Sequence, residues 1–180
     1  MRTALILFSV LIAGSAHAAV IGGPLMRDGL EMVPSTQAGV TLDHTPSTMS
    51  KDANPVFLQL DVHATRDEAH GFAEGAFMPY LSISYVLTKD DTPTFKRAGL
   101  LYPVASGSGL HYAAGADMAG AGTYHVTFIV SPPSSRGVMR RIDKNDGVAD
   151  WWKPITANWT FQFPSPTSNS SPTTVSQTTK

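Results

Sequence analysis

Asp61 and His63 stand two apart in VFLQLDVHA (56–64), and residues two apart on a strand share a face. A carboxylate beside an imidazole is the beginning of a transition-metal site; the plainer reading is a solvent-facing strand. His111 lies in VASGSGLHYAAGADMAG (104–120). Gly107 and Gly109 there let the backbone turn tightly and bring the ring close to a neighbour. Met118 and Met139 carry thioether sulfur, which suits Cu(I), although methionine also fills cores and loops. The remaining histidines read as structural. His44 sits in a turn beside Asp43, and His70 ends the charged stretch TRDEAH in what reads as an exposed loop. His125 alternates out of phase with Tyr124 and Val126, which places it on a solvated strand face.

Other chemistries lack their residues. ASGSG (105–109) is not a nucleophile elbow, since Ala105 and Val104 precede Ser106. No phosphate-binding loop or dinucleotide fingerprint occurs. There is no cysteine, hence no thiolate metal site or thiol nucleophile. The reading is therefore non-enzymatic. A net charge of −1, about −2 once Arg2 is removed, gives no electrostatic case for nucleic acid or an anionic membrane.

The elements that must position these side chains are strands. Val56, Leu58, Leu60 and Val62 alternate with Phe57, Gln59, Asp61 and His63. The same alternation puts Leu81, Ile83, Tyr85 and Leu87 on one face, then Tyr124, Val126, Phe128 and Val130, then Ile155, Ala157, Trp159, Phe161 and Phe163. With fifteen glycines and thirteen prolines between short pieces, this predicts an all-β, antiparallel β-sandwich. Residues 1–18 read as a signal peptide: Arg2, an apolar run, then AHA before a cleavage expected after Ala18. Residues 19–163 form the domain. No later segment is long and apolar enough to insert in a membrane. Residues 131–152 form a long polar loop of the kind that is often functional. Residues 164–180 are rich in Ser, Thr and Pro and read as a disordered tail. Deleting 165–180 is expected to leave the melting temperature almost unchanged.

Five stretches resemble a known family: GGPLMRDGLEM, LQLDVHATRDEAHGFAEGAFMPYLSISYVLT, PVASGSGLHYAAGADMAGAGTYHVTF, SPPSSRG and GVADWWKPITANWTFQF. They resemble the periplasmic iron-transport proteins, the copper-binding FetP-like component of FTR1-type iron uptake, from about Gly22 to Phe163. The resemblance implies an immunoglobulin-like sandwich, a homodimer, and a metal site near the subunit interface. It also implies a periplasmic role in assisting iron, with copper as a helper, toward an inner-membrane permease. His111 corresponds to a copper ligand and His63 to the histidine of the strand motif. The family's His-x-Glu pair reads Phe57 and Gln59 here, and its methionine before the glycine turn reads Pro103. Its Asp-Gly step is replaced by Gly107 and Ser108, with one residue added. Its His-x-His reads Met139, Arg140, Arg141. The resemblance therefore implies a remodelled site for copper or iron built on His111, with His63, Asp61 and Met139 as candidate companions. If the loop 131–152 folds over the site, Arg140 and Arg141 would oppose a cation. The alternative is a metal-free sandwich that binds a partner or scaffolds an assembly through that loop, with Arg140, Arg141, Trp151 and Trp152 as contacts.

Overall fold

The computed structural model describes residues 18–50 and 55–164; the expected signal peptide and tail lie almost wholly outside them. The strands are β1 (Ala19–Val20), β2 (Leu25–Arg27), β3 (Leu30–Gln37), β4 (Val56–Ala64), β5 (Ser82–Lys89), β6 (Lys96–Ser106), β7 (Gly109–Ala116), β8 (Gly122–Ser131) and β9 (Ile155–Phe163). Every pairing is antiparallel, in the order β1-β3-β4-β7-β6-β5-β8-β9, with β2 on β3. The architecture is the all-β sandwich the alternation predicts.

Strand β6 makes the sandwich from one curled sheet. Lys96–Leu101 pairs with β5, whereas Tyr102–Ser106 pairs with β7. The chain thus passes between layers within one strand, as corner strands do. Between the layers, Leu30, Met32, Leu58, Leu60 and Val62 meet Ile83, Leu87, Val126, Phe128 and Ile155, all fully or almost fully buried. The two-residue period forces this: every second side chain must leave water together.

The outer face of β4 departs from the expected solvated strand. Phe57 and Gln59 are buried as well. The connection after β3 lies against the Phe57 end: Met49 is buried, and Met49 and Pro55 press on Gly115, the register partner of Phe57, while Gln59 is bonded to Ser35 and Gln37 of β3. A Cβ on Gly115 would meet Pro55 Cβ at 3.0 Å, so the lack of a side chain is what lets the connection lie down. Strand β7 was not evident from alternation. Its Ala113, Ala114, Gly115 and Ala116 have little strand propensity, but both of its faces are covered and small residues fit there.

Candidate metal centre

Strand pairing brings His111 and Asp61 together. Leu60 is opposite Tyr112, so the next pair along, Asp61 and His111, projects from the outer face. His111 Nδ1 lies 2.6 Å from Asp61 Oδ1. A carboxylate at that distance accepts, which puts the proton on Nδ1 and leaves the Nε2 lone pair free for a donor or a metal. Nε2 faces the Ser106 and Ser108 hydroxyls at 2.9 and 3.0 Å. These belong to the β6–β7 hairpin, whose turn residues are Gly107 and Ser108. His111 therefore sits on a strand at the mouth of a hairpin, not in a loose glycine-rich loop.

The pair opens on a groove of about 380 Å³ that also touches Val33, Ser35, Gln59 and His63, with no lysine or arginine in its lining. His63 is on the same face, beside its register partner Glu31, and its ring meets Phe77 edge-on at 6.4 Å. Gln59, at a position where the resemblance implies a glutamate ligand, is committed to other partners. Its Oε1 accepts from Ser35 Oγ at 3.1 Å and its Nε2 donates to Gln37 Oε1 at 3.1 Å.

A closed coordination sphere needs three or four donors at one point. Among the described residues, no three His, Asp or Glu side chains converge closely enough to hold an ion. The donor chemistry fits a first ligand: an imidazole whose ring is oriented by a carboxylate, the usual outer-shell arrangement behind a metal-bound histidine. Met139 is not brought to this group within the chain. It is 92% exposed and borders a separate cleft with His70 and Trp151. Arg140 and Arg141 border that same cleft, so the loop does not lay their charge on the His111 groove. Arg140 pairs with Asp150, and Arg141 pairs with Asp143 and Asp146.

Of the other histidines, His70 departs from the sequence expectation. His70 is not an exposed loop residue. Its side chain is 6% exposed and lies 2.6 Å from Glu68, itself 1% exposed. It stacks on Trp151 at 4.5 Å and meets Trp152 edge-on. The backbone N–H groups of His70 and Phe72 donate to the Glu68 carboxylate. The signal for this knot was the distant Trp151-Trp152 pair, which no local pattern connects to residue 70. His44 is exposed and bonds to Asp43, as read; His125 is half-exposed and bonds to Asp90 and Thr160.

Comparison with known proteins gives the site its context. The model of the Fe2+ transport protein family matches residues 15–165. A UPF0423 protein of Brucella abortus is 33% identical over 79% of this chain and 80% of its own length. FetP from uropathogenic Escherichia coli, recombinantly expressed in the periplasm, superposes with a TM-score of 0.75 at 32% identity, covering 82% of this chain and 96% of that one. A copper-reconstituted protein from Campylobacter jejuni gives 0.77 at 29% identity, covering 83% and 99%. The family is thus one of Fe2+ transport proteins, and the Campylobacter jejuni protein carries copper. On sequence and fold together, the chain belongs to the Fe2+ transport protein family.

Proposed function

We propose that this protein handles iron in the periplasm, as a non-enzymatic homodimer, and assists its delivery to an inner-membrane permease through a remodelled, open site for iron or copper. His111 Nε2 is the first ligand and Asp61 holds its ring; His63 is the nearest further imidazole on that face. The observation that carries the reading is the 2.6 Å contact of Nδ1 with Asp61, which leaves the Nε2 lone pair as the available donor, beside the Ser106 and Ser108 hydroxyls at the edge of the groove. Phe57 and Gln59 in place of a nitrogen and a carboxylate weaken the grip on an ion, which suits transient passage more than storage. Within one chain Met139 plays no part in this site.

The test is calorimetric titration of residues 19–180 with Cu(I), Cu(II) and Fe(II). Saturable binding at one ion per chain, abolished in His111→Ala, is the expected result; a His111→Ala protein that titrates like the parent defeats the reading. Because a proton on Nε2 competes with the ion, affinity falls as the imidazole is protonated.

One observation favours the second reading, a partner-binding module. Met139 and Ile142 are 92% and 77% exposed on the loop. Arg140 and Arg141 are held in ion pairs along that loop, Arg141 still largely exposed, and Trp151 and Trp152 pack on His70 and on each other. Loss of partner capture in a Met139→Ser/Ile142→Ser double variant, with His111→Ala unaffected, would support it.

A further inference from the structure

Around the hairpin from His111, a second groove of about 440 Å³ is lined by Phe77, Pro79, Tyr80, Leu110, Tyr112 and Arg136, among others. Its volume is in the range of small-molecule sites. Its walls are built, not incidental. Phe77 stacks on Tyr112 at 5.1 Å and 22°. The buried Tyr112 hydroxyl donates to Met78 O at 2.9 Å and accepts from Leu81 N–H at 3.0 Å. Those two bonds pin residues 78–81 from both sides and hold Tyr80 at φ 60, a conformation bulky residues avoid. Among the described residues the other non-glycine residue with positive φ is Asp28, which belongs to an Asp-Gly hairpin turn that favours it. Tyr80 has no such excuse, and its ring stands 65% exposed at the groove.

Arg136 is the second signal. Among the described residues the other arginines each have an ion pair or a ring contact. Arg136 has no hydrogen-bond, ion-pair or ring partner, although its charge reaches the Tyr112 phenol. The Tyr112 hydroxyl is already satisfied, so a guest's polar end must turn to Arg136. An apolar aromatic floor with one free guanidinium at the rim selects a flat body bearing one anionic group.

We propose that this groove binds small aryl carboxylates, the ring lying against Phe77 and Tyr80 and the carboxylate on Arg136. The inference uses none of the metal-site side chains and stands apart from the metal reading. The probe is naphthoate, titrated into metal-free residues 19–180 and followed by calorimetry, with the neutral naphthalenemethanol as control. Expected are saturable binding at one per chain and a loss of about tenfold or more in Arg136→Gln and with the neutral control. Tyr80→Gly, which relieves the backbone and removes the ring, should also weaken binding, and His111→Ala should not change it. Equal binding of acid and alcohol, or an unaltered Arg136→Gln titration, overturns the proposal. So does conversion of a dimer to a monomer by Tyr80→Glu, which would make the groove a subunit contact.

Discussion

Asp61 shows how much one side chain can decide. It can only accept at His111 Nδ1, so it fixes which ring nitrogen carries the lone pair, the one beside the Ser106 and Ser108 hydroxyls. Asp61→Asn can hydrogen-bond in either sense and supplies no charge. It should lower metal affinity about 10- to 100-fold while leaving the fold intact, measured by the same calorimetry. Tyr112 is the structural counterpart. Tyr112→Phe leaves Met78 O and Leu81 N–H unpaired in the core and should cost about 1–3 kcal/mol in chemical denaturation. Burial pushes the phenols of Tyr112 and Tyr85 up from their ordinary value of 10.0, with Leu81 N–H and Arg136 pulling Tyr112 part of the way back. Below that value both states keep the proton. Above it the unfolded chain loses its proton first, so the unfolding free energy falls as pH rises past 10, and less steeply in Tyr112→Phe. Type and spacing marked Asp61, His63 and His111 as candidates. They did not reveal that Asp61 and His111 are neighbours, because 50 residues separate them.

The strands divide by how they are buried. β5, β8 and β9 were legible because each has one face in the core, and a two-residue period records that; β4 is covered on both faces over Val56–Leu60, yet its apolar residues still alternate with Gln59, Asp61 and His63. β3 carries Pro34, β6 changes layers midway and β7 is covered on both faces, so none leaves a clean alternation. The approach of the segment after β1 to β9 is a contact between elements that no local pattern shows. Trp159 Nε1 donates to Gly23 O at 3.0 Å, and a Cβ on Gly22 would run into the Trp159 ring. Gly22→Ala should destabilise by about 1–3 kcal/mol through overpacking, seen as a lower midpoint in denaturant. The loop 138–152 is tied down by the Glu68–His70 pair under Trp151. Glu68→Ala strands the part-buried N–H donors of His70 and Phe72 and the imidazole, at a cost of about 1–3 kcal/mol; faster protease cleavage within 138–152 is the readout.

At the scale of the molecule, export and assembly are the open expectations. Mass spectrometry of protein recovered from a periplasmic extract should show a chain beginning at Ala19, and sedimentation should give a dimer. A mass including Met1, or a monomer at all concentrations, would remove those parts of the proposal. Among the described residues no helix is long and apolar enough to cross a membrane. Fold class and the absence of thiol chemistry follow directly from the order of residue types, because periodicity and composition are local quantities. Which side chains converge is not local. The Asp61–His111 pair depends on β4 lying against β7, the separation of Met139 from it on where the loop folds, and the exposure of Arg136 beside Tyr80 on a turn pinned by a phenol 31 residues away. Strand register and layer packing set those distances, and both exist only once distant segments have bonded.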